Sequence, residues 1–179
     1  MVTLDTLCRQ AVREAGRFAR EHAFGANGVE WKHYDDPVTE VDKGVEKLLR
    51  EKLSGIDATF IGEEFGYSKK GTKPAPYTFI IDPIDGTKSF VRHDFLSALS
   101  LAVEKDKKLI AGYIYDFMKD ILYAAFEKED GAEKYILHRG RKLEWTPRST
   151  LPKLSIAVDN EPISFIKHVD NYTREPRND

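Results

Sequence analysis

The sequence predicts an α+β protein whose helices are layered on a mostly antiparallel sheet. Two amphipathic helical stretches open the chain, and a series of β-rich runs separated by short turns follows. The 179 residues also supply enough chain to bury a core. That length fits one domain on a prior of roughly 150 residues each, or two small lobes sharing one core. A chain of this size needs neither disulfides nor metal merely to fold, and a single cysteine excludes a disulfide framework and a cysteine-rich zinc site. That cysteine, Cys8, sits among apolar residues at helical spacing and reads as core packing.

The first helix is predicted over residues 4–23, where Leu4, Leu7, Cys8, Ala11, Val12, Ala15, Phe18 and Ala19 recur at i, i+3, i+4. Gly25, Asn27 and Gly28 end it, and the polar stretch through Asp36 has no period and reads as a long exposed loop. Thr39-Glu-Val-Asp42 is an approximate capping box with Asp in place of Glu or Gln. It should start a second helix that buries Val41, Val45, Leu48, Leu49 and Leu53 and stops at Ser54-Gly55.

Residues 59–61 form a short apolar run ending at Gly62-Glu63-Glu64, and residues 65–76, rich in Gly, Lys and Pro, read as a mobile basic loop. Tyr77-Thr-Phe-Ile-Ile81 is β-branched and aromatic, and Pro83 argues against its continuing as a central strand, which leaves Asp82 at a strand end. Residues 96–103, 109–115 and 121–126 predict an antiparallel meander. Residues 135–137 and 154–158 look like two further strands, and the stretch from 160 to 179 is charged and weakly patterned.

Thirty acidic residues against 28 basic ones give a formal charge of −2, too balanced for a protein that holds nucleic acid mainly by neutralising phosphates. The amino terminus lacks a basic region followed by an apolar run, and no stretch approaches the ~20 apolar residues of a membrane span. The expectation is a soluble cytoplasmic protein without nucleic-acid or membrane partners. His22, His33, His93, His138 and His168 form no metal-binding pair and read as solvent-exposed. No Gly-x-Ser-x-Gly elbow or Walker-type string occurs, which removes support for a triad hydrolase and a P-loop NTPase.

Phe79-Ile-Ile-Asp82-Pro-Ile-Asp85-Gly-Thr87 carries the most chemistry. Two acids three apart around a proline turn can aim both carboxylates and the Ile84 carbonyl at one point, as a hard cation such as Mg²⁺ requires. Gly86 permits close backbone approach, and Thr87 could start a short helix whose unpaired amides face an anion, with phosphate as the natural occupant. The alternative is an Asx-type turn with solvated acids. Glu63 and Glu64 point in different directions, so only one should enter such a site, and alone they read as an exposed loop pair. On local grounds Asp42 reads as a capping carboxylate. Asp85-Gly-Thr87 is also similar to the nucleophile turn of haloacid-dehalogenase-like phosphatases, but the first acid of that motif falls at Pro83, which disfavours an aspartyl-phosphate mechanism.

Taken together these segments resemble the inositol monophosphatase family, including archaeal members that also hydrolyse fructose 1,6-bisphosphate. Asp36-Pro-Val-Thr-Glu-Val-Asp42 is similar to its first acidic motif, Phe60-Ile-Gly-Glu63-Glu64 to its second, and Asp82-Pro-Ile-Asp-Gly-Thr-Lys-Ser-Phe90 to its signature; together they cover roughly residues 4–145 in the family's order. The resemblance implies a sugar-phosphatase-like fold and a Mg²⁺-dependent phosphomonoesterase using two or three ions, with Mn²⁺ able to substitute. Glu63, Asp82 and the Ile84 carbonyl would bind one ion, Asp82 and Asp85 a second, and Asp42 with Glu63 a weaker third. Thr87 with Glu63 would orient the attacking water, and a homodimer is implied. Family members continue into a second α/β lobe with a Trp-Asp-x-Ala-Ala-Gly-like motif. Here Trp31 precedes Lys32 and Trp145 precedes Thr146.

The expectation is therefore an amino-terminal metal-binding lobe at 1–150 and the start of a carboxyl-terminal lobe at 151–179, with most of that lobe absent. Competing expectations are a 3′-phosphoadenosine bisphosphate nucleotidase and a catalytically incompetent metal-binding lobe.

Overall fold

The computed structural model describes residues 3–25, 29–33, 36–69, 74–128 and 131–143, with the backbone alone at 29–33 and 36–38. All of them belong to a compact unit, Met1–Trp145, and the second unit, Thr146–Asp179, contains no described residue. The strand expected at 154–158 thus lies outside the described residues.

Helix α1 (Leu4–His22) begins where Thr3 accepts from the Thr6 N–H, and it buries Cys8, Ala11, Val12, Ala15 and Ala19. Helix α2 (Glu40–Leu53) starts at the predicted capping box. The Thr39 hydroxyl accepts from Asp42 N, and Asp42 Oδ2 accepts from Thr39 N at 2.9 Å. The two helices pack together against one face of an eight-stranded sheet. Its order is β10-β9-β8-β7-β6-β5-β3-β4, from β3 (Ala58–Gly62), β4 (Gly66–Lys69), β5 (Tyr77–Asp85), β6 (Ala98–Lys105), β7 (Lys108–Asp116), β8 (Ile121–Lys128), β9 (Gly131–His138) and β10 (Arg141–Leu143). Among the described residues only β3 and β5 pair in parallel.

Alternation sends Phe60, Phe79, Ile81, Leu99, Leu101, Val103, Tyr113 and Tyr115 into one buried cluster with the apolar stripes of both helices. Burial of each large side chain contributes roughly 1.5–3 kcal/mol. Polar anchors add orientation: Asp5 Oδ1 accepts from Tyr113 at 3.1 Å and Tyr135 at 2.7 Å, and Arg9 pairs with Asp5 Oδ2 at 2.9 Å. Cys8 is fully buried beneath this anchor, and its thiol is pushed up to about 12 by desolvation and then by Asp5. It is a packing residue, as its spacing predicted. His22 and His93 are exposed and His138 is half-buried. No helix among the described residues is long and apolar enough to cross a membrane.

Three expectations are corrected. The stretch expected as one loop over 25–36 contains β1 (Val29–His33), which pairs antiparallel with β2 (Asp36–Thr39) as a two-stranded sheet. The basic segment after Phe65 begins with β4, held against β3 by antiparallel pairing. Pro83 does not end its strand: β5 runs on to Asp85 between β3 and β6. The pairing Asp82↔Ser100 is followed by Asp85↔Ala98, three residues against two, so the proline sits in a bulge where its missing N–H costs no ladder bond.

Candidate metal and phosphate site

Four local structures converge at one end of β3 and β5. The capping box supplies Asp42, the turn after β3 supplies Glu63, the bulge of β5 supplies Asp82, and the end of β5 supplies Asp85 and Thr87. Parallel pairing of β3 with β5 places Gly62 beside Ile81, and Glu63 N donates to Ile81 O at 3.3 Å. Gly86 follows with φ 82°, and a β-carbon there would lie 2.6 Å from Leu96 O, so the turn onto helix α3 (Thr87–Arg92) requires glycine. Ser97 Oγ donates to Gly86 O at 3.2 Å and ties this turn to the start of β6.

Asp42 is almost fully buried, at 1% exposure. Its Oδ2 is occupied by the Thr39 N–H and hydroxyl, and its Oδ1 lies 3.1 Å from Thr87 Oγ1. Thr87 Oγ1 is also 2.9 Å from Ile84 O, so one hydroxyl links the capping carboxylate to the carbonyl expected to bind metal. Desolvation raises the Asp42 carboxyl above its ordinary value, against the lowering effect of the Thr39 and Thr87 bonds. Sequence reasoning separated capping from site membership for Asp42. In the structure one oxygen serves the cap and the other meets Thr87.

Asp82 is the most perturbed acid of the group, raised to about 9 by burial first, then by the Glu63 and Asp85 charges, by a hydrogen bond with Glu63, and by Asp42. Its Oδ1 is buried and has no hydrogen-bond partner. Asp85 is raised by desolvation, with the Gly86 N–H pulling it back down. Thus Glu63, Asp82, Asp85 and Asp42 are electrostatic neighbours. Among the described residues, though, no three Asp, Glu, His or Cys side chains are already drawn to the spacing of a cation cage.

The donor set fits a hard divalent cation: carboxylate oxygens, a backbone carbonyl, and one orphaned buried oxygen that a cation would satisfy. Repulsion from its acidic neighbours adds to burial in raising Asp82 without an ion, and a cation between them would turn that repulsion into attraction. The acids that raise Asp82 are Glu63, Asp85 and Asp42 rather than Glu64. Its backbone N–H instead donates to Glu46 Oε2 at 2.7 Å.

Sequence reasoning missed Glu46 and Arg50. The signal was an acid in the apolar stripe of α2: Asp42, Glu46, Leu49 and Leu53 follow the 4-3-4 spacing of one helix face, and all four are buried.

Comparison with known proteins places the chain in a family. The model of the inositol monophosphatase family matches residues 2–173. An inositol-1-monophosphatase of Rhizobium meliloti (strain 1021) is 35% identical over 127 residues, covering 69% of this chain and 47% of that protein. A fructose-1,6-bisphosphatase/inositol-1-monophosphatase of Thermococcus kodakarensis is 33% identical over 85 residues, 48% of this chain and 32% of that protein. A solved structure of an IMPase/NADP phosphatase complexed with Mg²⁺ and phosphate superposes with a TM-score of 0.61 at 25% identity, covering 73% of this chain and 50% of the other. An ordered set of acidic turns on an α+β sheet therefore has a family to go with it: the chain belongs to the inositol monophosphatase family. It spans about half the length of the curated relatives it matches.

Proposed function

We propose that this chain carries the cation-binding half of a phosphomonoesterase site for inositol monophosphate and related sugar phosphates, fructose 1,6-bisphosphate among them. The observation that carries the reading is Asp82: a buried carboxylate with an unpartnered oxygen, flanked by Glu63 and Asp85 in a chain of this family. Glu63, Asp82 and the Ile84 carbonyl would hold one Mg²⁺, and Asp82 with Asp85 a second; Mn²⁺ has the same preference for oxygen donors and would substitute. A third ion at Asp42 and Glu63 would have to displace the bond between Asp42 and Thr87 and is correspondingly weak. Homodimer formation belongs to the same reading and rests on the family resemblance alone.

When bound, the cation supplies positive charge to the phosphoryl oxygens and acidifies a water in its shell. The chain's own groups do the rest. Thr87 Oγ1 can accept a proton from the attacking water while its own proton passes to Asp42 Oδ1, 3.1 Å away. Asp42 is suited to receive it, because burial raises its carboxyl and the Thr39 cap fixes its orientation. Glu63 orients the same water from the β3 side. Gly86, without a β-carbon, lets the backbone approach a phosphoryl group closely. None of these steps requires a covalent bond between phosphate and protein.

The test is phosphate release from inositol 1-phosphate and fructose 1,6-bisphosphate by the protein in its full native length, with Mg²⁺ and with EDTA. Hydrolysis should depend on the metal and fall at least a thousandfold in Asp82→Asn, on the order expected when the main electrostatic stabilisation of a transition state is removed. Turnover that survives both treatments would overturn the reading. Magnesium binding without turnover on any phosphate would instead leave a metal-binding lobe without activity. The solved neighbour's name includes an NADP phosphatase, so 3′-phosphoadenosine bisphosphate belongs in the same assay as the nucleotide alternative.

A further inference from the structure

The most deeply buried acid among the described residues is one that this reaction scheme does not use. Glu46 is 0% exposed, on the face of α2 that meets the turn after β3. Its Oε2 accepts from Glu64 N at 2.7 Å, and both its oxygens lie within reach of Phe65 N, at 3.3 and 3.4 Å. The charge is balanced by Arg50, whose Nε donates to Oε1 at 2.8 Å. Arg50 reaches further, to Ser68 Oγ and to Gly66 O at 2.6 Å, and its guanidinium lies over the rings of Phe60 and Phe65 at 5.6 and 5.9 Å.

One ion pair on α2 therefore holds peptide groups within the turn that joins β3 to β4 and at the first residue of β4. The carboxylate also lies close against Gly62, where a β-carbon would come within 1.9 Å of Glu46 Oε1.

A buried ion pair is poor evidence for stability, because desolvating two charges costs about what their attraction returns. Its value lies in geometry. Two peptide N–H groups and a planar guanidinium leave the carboxylate one orientation, and the carboxylate leaves the turn one path. The first residue of that turn is Glu63, between Gly62 and the Glu64 N–H that Glu46 holds, and it couples electrostatically and by hydrogen bond to Asp82.

We infer that Glu46, with Arg50, is a positioning residue for the cation site, holding the Gly62–Gly66 turn so that Glu63 faces Asp82. The inference rests on the reading that Glu63 and Asp82 bind the ion. It differs from a structural role in what it predicts: metal affinity falls in protein that is still folded.

The experiment measures the Mg²⁺ dissociation constant by calorimetry on folded, metal-stripped full-length protein, together with kcat and KM for inositol 1-phosphate. Glu46→Gln keeps the volume but presents an amide donor to N–H groups that need an acceptor, and should weaken Mg²⁺ binding about tenfold or more, the usual cost of losing an outer partner of a metal ligand. Gly62→Ala displaces the Glu46 carboxylate without altering it and should weaken binding comparably; if Glu46→Gln does not fold, this variant carries the test. Arg50→Lys, which restores charge but not the fork, should fall between Arg50→Ala and the native protein. Glu64→Gln should bind Mg²⁺ normally, since the bond that Glu64 gives Glu46 comes from its backbone N–H, which the substitution keeps. Asp82→Asn separates the two levels of inference. If it leaves Mg²⁺ affinity intact, the metal reading fails. If it abolishes binding while Glu46→Gln or Gly62→Ala binds as tightly as the native protein, the positioning inference is overturned.

Discussion

Glu63 and Glu64 are neighbours of identical chemistry with different surroundings. Glu63 raises the Asp82 carboxyl both by its charge and by a hydrogen bond, whereas Glu64 contributes its backbone N–H to Glu46. Glu63→Gln should therefore weaken Mg²⁺ affinity by at least about tenfold while Glu64→Gln leaves it unchanged. Titration calorimetry on the two variants decides it, and equal losses would remove Glu63 from the site. Gly86 is a second single-residue test. With φ 82° and a carbonyl 2.6 Å from where a β-carbon would sit, Gly86→Ala must both strain the backbone and push back the start of β6. The left-handed conformation alone costs roughly 1–2 kcal/mol, so urea unfolding should show a loss of at least that size.

The elements differ in how openly the sequence announces them. Helices α1 and α2 were legible because their apolar residues keep a 3.6-residue period over several turns, and the capping box marks the first residue of α2. Strands β6, β7 and β8 were legible because one face of each is buried and the other is not. β1, β2 and β4 were not, since they are short and polar and gain their pairing from a neighbour that local pattern does not reveal. The passage of β5 through Pro83 depends on a bulge, which periodicity cannot show.

The candidate site divides in the same way. The Asp82 turn could be read because its residue types have few structural uses in that order. Glu46 and Arg50 are four apart on a helix, and although Glu46 falls in the apolar stripe, the groups the pair meets there are supplied by β4 and the turn from β3 to it, which local pattern does not reveal. The capping box also makes a prediction at this scale. Thr39→Ala removes the cap of α2 and one of the groups that hold Asp42 Oδ2, so stability should drop by about 1–2 kcal/mol in chemical denaturation. Thr39→Ser should recover most of it, because the hydroxyl is what accepts the amide bonds.

Across the whole molecule, four acids at the end of a sheet otherwise built on apolar packing make stability depend on pH and on cation together. Asp82 carries the largest perturbation of the four. Its carboxyl stands near 3.8 in the unfolded chain and is raised to about 9 in the folded one by burial and by Glu63, Asp85 and Asp42. Between those values the folded protein holds a proton that the unfolded chain releases. The stabilising contribution is therefore complete below about pH 4 and is lost as pH rises toward about 9. Asp42 and Asp85 are shifted in the same direction and add to the slope.

In EDTA the melting temperature should accordingly fall with rising pH more steeply for the native protein than for Asp82→Asn, which cannot ionise there. The variant should be the more stable of the two near pH 8.5, with the gap closing as pH approaches 4. Magnesium reverses the order, because an ion that binds only the folded, deprotonated site stabilises by mass action and must expel that proton first. The Mg²⁺-induced rise in melting temperature should thus be larger at pH 8.5 than at pH 6 in the native protein and absent in Asp82→Asn. Parallel slopes for the two proteins in EDTA would show that Asp82 is not held neutral by its neighbours, and the cluster would then have to be an ordinary set of solvated acids.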